Sequence, residues 1–280
     1  MIFNIYKQRG ETPLECIQRF VKENPDLKND PSNPLRVNKM TYLGRLDPLA
    51  EGVLLVGSGE DTTQSRREEF FGLDKEYDFV SIFGFTTDTY DVLGKIMRVE
   101  KLALRQIRQA HYKQTQDKNN STIFENEVRK VTMIYEGERE QEYPPYSSKM
   151  FSKNNKKAVP PLLGKERGLG GEVKKITIHK MQFHGLDALN AKELFGRLLM
   201  DISKVKGDFR QHEILLLWKE ILLKYPDTPI FLGRFSAHVS SGTYIRGIVN
   251  DIGNTLGCGA TTLSIKRNRV GDYKIEDSIK

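Results

Sequence analysis

The stretch Arg45-Leu46-Asp47-Pro48-Leu49-Ala50-Glu51-Gly52, followed by the apolar run Val53-Leu54-Leu55-Val56, constrains this chain more than any other. Pro48 has no backbone N–H and a fixed φ, so it pushes Asp47 toward an extended or turn conformation. Gly44 and Gly52 bracket the segment and permit tight backbone geometry on both sides. Val53 to Val56 reads as a buried strand, ended by Gly57-Ser58-Gly59. Asp47 is therefore expected on a rigid loop entering a core strand, a good mount for a catalytic group. A lone Asp-Pro is also a common turn whose aspartate bonds its own backbone. The rest of the chain decides between these readings.

At 280 residues the chain is long enough for one large domain or two small ones. Its 38% hydrophobic and 29% charged content suits a globular protein and excludes a disordered one. No apolar stretch approaches a membrane span. The start, MIFNIYKQRG, has no signal-peptide core, so secretion is not expected. The sequons at Asn119 and Asn120 then count as chance matches in a polar loop. Cys16 and Cys258 are far apart and lack ligand spacing, which favours a reducing cytoplasm. His111, His179, His184, His212 and His238 are scattered, so no metal is expected. Gly57-Ser58-Gly59 lacks the remaining residues of a phosphate or dinucleotide loop, and no cofactor is expected. The net charge of +7 and pI of about 9.2 favour a polyanionic partner.

Ile2 to Tyr6 predicts a strand, and Thr12-Pro13-Leu14-Glu15 a capped helix start, with Leu14, Ile17, Phe20 and Val21 as its apolar face. Asn24 to Arg36 reads as a loop and Asp61 to Phe71 as a helix. Lys75 to Gly84 reads as a strand with Tyr77, Phe79, Ser81 and Phe83 on one face. Thr86 to Asp91 fits a turn rich in side-chain to backbone bonds. Leu102 to Gln114 predicts an amphipathic helix, and Gln116 to Glu127 a polar surface loop. From Lys149 to Lys175 there are eight Lys or Arg against two acids, with four glycines. That segment suits a solvated loop and equally a mobile arm closing on an RNA backbone.

Val173 to Phe183 reads as a strand. Asn190 to Glu193 is a second capping box, leading a helix that buries Leu194, Leu198 and Ile202. A further helix carries Ile214, Leu217, Trp218 and Ile221, with Trp218 in the core. Phe231 to Val239 alternates as a half-buried strand. Thr243 is placed to cap the helix bearing Ile245, Ile248 and Ile252, with Gly257 past its end. Tyr244 and Arg246 then fall at its start, where a cation opposes the helix dipole. Arg246 accordingly calls for a specific anionic partner. Ala260 to Arg267 is expected as the last strand.

Taken together, GRLDPLAEGVLLVGSGEDT resembles the signature of the TruB-type tRNA pseudouridine synthases, G-x-L-D-P-x-A-x-G-V-L followed by G-x-A-T. Further segments match in family order. Lys7, Gly10 and Thr12 follow the opening K-P-x-G-x-T-S without its Pro and Ser. Lys75-Glu76-Tyr77 matches K-x-Y, and Thr86 to Asp91 matches T-D-T-x-D. Tyr143 to Lys149 resembles P-P-x-Y-S-A-x-K, one residue shorter after the prolines. Ser240 to Arg246 spells S-x-G-T-Y-I-R, and Ile265-Lys266-Arg267 stands where the family has L-R-R.

The resemblance implies an α+β fold with a central mixed, mostly antiparallel sheet flanked by helices and loops. It implies one catalytic domain over residues 1–280, with a thumb-like basic loop at about 149–175. Only 13 residues follow Arg267, so a C-terminal RNA-binding domain is not expected. The implied catalytic residues are Asp47, paired with Arg246, and Tyr77 against the target base. Tyr244, Tyr42, Lys75, Ile265 and Lys149 are the implied substrate-binding residues.

The implied reaction is isomerisation of the T-loop uridine (position 55) of tRNA to pseudouridine, by a monomeric cytoplasmic enzyme binding the T-arm stem-loop. A buried target base must first be flipped out. An aspartate can attack the sugar carbon or deprotonate its neighbour, and both routes stay open. Two departures stand out: Tyr42-Leu43 replaces the usual His-Thr, and Arg45 replaces a small residue. A non-catalytic RNA-binding protein or tRNA-folding chaperone on the same fold would show the same basic charge and aromatics. The same chemistry on another RNA is a third reading. Asp47 with Arg246 separates catalysis from plain binding, because a carboxylate facing phosphates adds little to affinity.

Overall fold

The computed structural model describes residues 1–25, 40–100, 117–142, 144, 173–224 and 226–280. Its strands are β1 (Ile2–Lys7), β2 (Met40–Tyr42), β3 (Ala50–Ser58), β4 (Lys75–Phe83), β5 (Phe85–Thr87), β6 (Ile96–Val99), β7 (Gly137–Glu142), β8 (Val173–Asn190), β9 (Pro229–Val239), β10 (Ala260–Val270) and β11 (Tyr273–Lys274). The α-helices are α1 (Pro13–Glu23), α2 (Gln64–Gly72), α3 (Asp117–Met133), α4 (Ala191–Ser203), α5 (Gln211–Leu222) and α6 (Ile245–Thr255). Nine strands form one sheet in the order β1-β3-β10-β4-β9-β8-β7, with β2 on β3 and β11 on β10. β3 and β10 run parallel, and the other pairs in this sheet are antiparallel. The α+β fold with a mixed, mostly antiparallel sheet is thus the one expected.

Alternation in β4 and β9 sorts side chains onto two cores. Tyr77, Phe79 and Phe83 face α3 and α6, packing with Phe124, Val128, Ile245, Ile248 and Ile252. Ile82 and Leu232 face the other way, onto Leu194, Leu198 and Ile202 of α4 and Ile214 and Trp218 of α5. The sheet is therefore covered on both faces, which explains why its central strands carry few exposed positions.

Both capping boxes form as expected, Thr12 with Glu15 at α1 and Asn190 with Glu193 at α4. Four local expectations need correction. Residues 117–127 are helical, not a loop. Phe124 and Val128 sit one turn apart and bury against the aromatic core, so packing overrides a polar, Asn-rich composition. Leu14 is exposed, and α1 buries Pro13 and Cys16 with Ile17, Phe20 and Val21. Thr243 does not cap α6: its hydroxyl donates to the Ser240 carbonyl, and Tyr244 is the cap residue. β10 is not the last strand, because Gly271 turns the chain into β11. The helix expected over 102–114 lies outside the described residues.

Gly52 shows why the motif needs a glycine. It lies opposite Arg267 in the parallel pair, with φ +106°, and a Cβ there would stand 2.3 Å from the Arg267 carbonyl oxygen. Gly52→Ala is expected to cost more than the about 1–2 kcal/mol of a left-handed residue alone, lowering Tm by several degrees. Gly196→Ala in α4, with nothing within 4 Å of the added methyl, is expected to raise stability by about 0.5–1 kcal/mol. Thermal melts of the two variants check both signs.

Candidate active site

Asp47 stands on the loop between β2 and β3, held by buried cations from two sides. Lys7 is fully buried on β1 and its Nζ donates to the carbonyls of Pro48 (3.1 Å) and Ala50 (2.6 Å). Arg9 donates to the Leu49 carbonyl at 2.6 Å, and the Gly10 N–H to that of Pro48 at 2.9 Å. From the other side Arg267, also buried, donates to the carbonyls of Val53 (2.8 Å), Arg45 (3.2 Å) and Gly44 (3.2 Å). Carbonyls of the loop and of the first residues of β3 thus find charged donors, which are stronger partners than neutral ones. Burial pushes the Lys7 ammonium down to about 8, against the pull of Cys16, Glu11 and Asp47. The Asp47 carbonyl itself accepts from the Ala50 N–H, closing the turn that Pro48 favours. The chain does turn at Asp47, through its main-chain carbonyl and not through the side-chain bond of the turn reading, and the side chain faces Arg246.

That side chain meets Arg246. Asp47 Oδ2 lies 2.8 Å from Arg246 Nε; the guanidinium side chain is 5% exposed and the carboxylate 31%. The Nε hydrogen finds no well-aligned acceptor, so the contact is an ion pair rather than a directed bond. Arg246 Nη1 donates to the Thr89 carbonyl and lies 3.6 Å from Asp91 Oδ2. Burial disfavours the guanidinium charge, but Asp47 and Asp91 outweigh it and hold Arg246 above its ordinary value. For Asp91 burial dominates and pushes the carboxyl up, against the pull of Arg246. The arrangement is a buried cation between two carboxylates, one of which reaches solvent.

Asp91 is a site residue that sequence reasoning did not single out. Its turn is as rich in side-chain bonds as expected: Oδ1 accepts from the Thr89 hydroxyl (2.7 Å) and the Leu93 N–H (2.9 Å). Tyr90 takes φ 64° there, a left-handed conformation unusual for a bulky residue. The signal available was the spelling Thr-Asp-Thr-Tyr-Asp, in which Asp88 goes instead to Arg210 at 2.7 Å.

Arg246 is positioned from a distance. α6 begins without a side-chain cap of its own. Instead Gln141 of β7 donates to the Tyr244 carbonyl at 2.9 Å and accepts from the Tyr244 N–H at 2.8 Å. Gly247 leaves room for it, since a Cβ there would stand 2.7 Å from the Gln141 amide nitrogen. Gln141→Leu is expected to cost about 1–3 kcal/mol by removing the acceptor of the part-buried Tyr244 N–H, while the Tyr244 carbonyl keeps its bond from the Ile248 N–H. It should also slow any reaction at Asp47 more than it weakens ligand binding. Urea unfolding, read beside single-turnover rates, checks this.

The remaining expected residues distribute as follows. Tyr77 and Ile265 are both buried, in one cluster with Leu46 and Ala50 beneath the Asp47 loop. Tyr77 therefore shows only 7% of its surface, more core than cleft wall. Tyr244 is half-buried at the start of α6, two residues before Arg246. Tyr42, on β2 opposite Val56, packs against the Ile5 cluster. Lys75 is buried at the start of β4 with Nζ donating to Leu73 and Phe71 carbonyls. Burial, with help from Arg267, lowers its ammonium to about 8. Lys149 and nearly all of the basic 149–175 segment lie outside the described residues.

Comparison with known proteins gives the chain relatives of one kind. The model of the family described as TruB family pseudouridylate synthase (N terminal domain) matches residues 33–118, the stretch that carries Asp47, Tyr77 and Asp91. Proteins named tRNA pseudouridine synthase B match nearly end to end: 25% identity over 277 residues in Thermosipho melanesiensis, covering 99% of this chain and 66% of that protein. In Chlamydia muridarum the identity is 27% over 275 residues, covering 98% and 81%.

The chain is similar to the TruB family over residues 33–118.

The chain spans about two-thirds of the length of the Thermosipho relative. Among solved structures, a Cbf5-Nop10-Gar1 complex has a chain that superposes with a TM-score of 0.49 at 17% identity, covering 98% of this chain and 49% of that one.

Proposed function

We propose that this chain is a tRNA pseudouridine synthase that isomerises the T-loop uridine of the T-arm, with Asp47 as the catalytic residue. One observation carries the reading: a carboxylate that is partly open to solvent is aimed by a buried arginine on a loop clamped by three cationic side chains. A plain RNA-binding surface gains nothing from that arrangement, since RNA presents phosphates. The names of the relatives point to tRNA as the substrate.

In the proposed reaction the uridine is flipped out of the folded loop. The bond from the sugar C1′ to N1 of the base breaks, the base turns, and C1′ bonds to C5. The C5 proton leaves and N1 gains one, so the product is an isomer and no oxidant or reductant is needed. Asp47 serves either by attacking C1′ or by taking a proton from the adjacent sugar carbon. Arg246 keeps it directed as water leaves the cleft. Tyr77 and Ile265 support the base from below. The 149–175 segment supplies phosphate contacts by its charge. Neutralising several of its Lys and Arg should flatten the salt dependence of binding, by about 0.7 in log–log slope for each phosphate left without its cation.

Mapping pseudouridine in RNA from cells with and without this chain tests the reading. Loss of the T-loop pseudouridine alone supports it. An unchanged map overturns it, and loss at sites in another RNA redirects it.

A further inference from the structure

His179 and His238 are far apart in sequence, and neither has a ligand-like neighbour along the chain, which is why sequence spacing predicts no metal site. The sheet brings them together. His238 is on β9 and His179 on the adjacent β8, at the bulge between Ile178 and Lys180. A bulge inserts one residue and re-aims its side chain, and here the two imidazole rings lie 4.7 Å apart, tilted by 45°. Asp74, on the turn that enters β4, points its carboxylate at both: Oδ2 is 3.1 Å from His179 Nε2 and 3.8 Å from His238 Nε2.

We propose that Asp74, His179 and His238 bind a borderline divalent transition-metal cation of the zinc class. The longer separation is beyond hydrogen-bonding distance. A tetrahedral ion with bonds of about 2.0–2.2 Å holds its ligand atoms about 3.3–3.6 Å apart, which lies between the two observed values. The three ligand atoms are all within 4.8 Å of one another, so they can share one ion with a small closing movement. Two imidazoles and one carboxylate suit zinc, cobalt, nickel or copper. Magnesium and calcium demand more oxygens than this cluster offers. All three side chains are partly exposed, which leaves an entry path and a fourth position for water.

The surrounding charge is mixed. Glu76 lies across from His238 on β4 and is paired with Arg269, while Lys180 lies across on β8. Affinity would thus come from ligand geometry, not from an acidic field. A bound ion would clip the turn leading to Lys75 and Tyr77 onto β8 and the end of β9. β9 in turn runs through Ser240 into the Tyr244–Arg246 start of α6. The site is separate from Asp47 and its test does not depend on the proposed activity.

The test is calorimetric titration of chelator-treated protein with Zn²⁺ alone. One ion per chain is expected, with a rise in Tm on saturation because the ion binds the folded state. Asp74→Asn, His179→Gln and His238→Gln should each weaken binding by at least about tenfold, while His184→Gln, a surface histidine outside the cluster, should leave it unchanged. Histidine NMR of the wild type reads the same site without a variant: Zn²⁺ should shift the imidazole signals of His179 and His238 and spare His184. Absence of micromolar binding, full binding by the His179→Gln/His238→Gln double variant, or shifts confined to other histidines would overturn the proposal.

Discussion

Asp47→Asn is expected to abolish pseudouridine formation, by at least about 10³-fold or roughly 4 kcal/mol in barrier, while leaving the fold in place. The backbone bond from the Ala50 N–H to the Asp47 carbonyl does not involve the side chain. Asn is also among the mildest replacements for a turn aspartate. Arg246 keeps its Thr89 carbonyl and its Asp91 neighbour, so the buried guanidinium is not left without an anion. What disappears is the carboxylate, and an amide can neither attack C1′ nor take a proton from the sugar. RNA affinity should hold or rise slightly, because one negative charge facing phosphates is removed. Parallel binding and melting curves distinguish this outcome from unfolding.

Arg246→Met is expected to damage both stability and activity. The buried arginine separates two carboxylates, and removing one member of a buried ion pair costs about 3–5 kcal/mol because the partner charge stays behind. Asp91 suffers most: burial already pushes its carboxyl up, and Arg246 is the cation that opposes this. In the variant Asp91 should take up a proton at higher pH than in the wild type. Because its folded-state value then lies further above the unfolded one, the variant should lose more stability than the wild type as pH rises above the ordinary carboxylate range. Asp47 loses its aim at the same time. Arg246→Lys should recover part of the stability and little of the rate, since an ammonium cannot reach Asp47, Asp91 and the Thr89 carbonyl with one planar fork. Urea unfolding across pH, with the wild type alongside, reads the effect.

The parts of this molecule written in local chemistry were legible in the sequence. Thr12 and Glu15, or Asn190 and Glu193, announce helix starts because the bonds they make span three residues. Strand alternation places Phe79 and Phe83 of β4 in one core, though not Ile82 and Leu232 in a second on the opposite face. An arginine at a helix start, where the dipole is unfavourable, called for an anionic partner, and the family resemblance alone supplied Asp47 as that partner. It is found at 2.8 Å.

What escaped depends on contacts that no local window contains. α3 is helical because Phe124 and Val128 find the aromatic core, a partner invisible in an Asn-rich segment. The cap of α6 comes from Gln141, across the sheet, and not from the adjacent Thr243. Lys7 and Arg267 matched motif positions without a role, and Arg9 drew no notice, until their carbonyl partners around Asp47 were known. Asp91 was read as a turn former, which it is, and its second role appears only because the turn packs beside α6. His179 and His238 meet through a bulge that shifts register by a single residue.

The central claim is that this chain converts uridine through Asp47. The most direct test is single-turnover incubation of wild-type and Asp47→Asn protein, each in excess over an unmodified tRNA transcript, with pseudouridine mapped by position and RNA binding followed in parallel. The account predicts pseudouridine at the T-loop uridine with the wild type and none with Asp47→Asn, at comparable binding. Wild-type protein that binds the transcript and leaves the uridine intact, or Asp47→Asn protein that converts it at a near-wild-type rate, would contradict it.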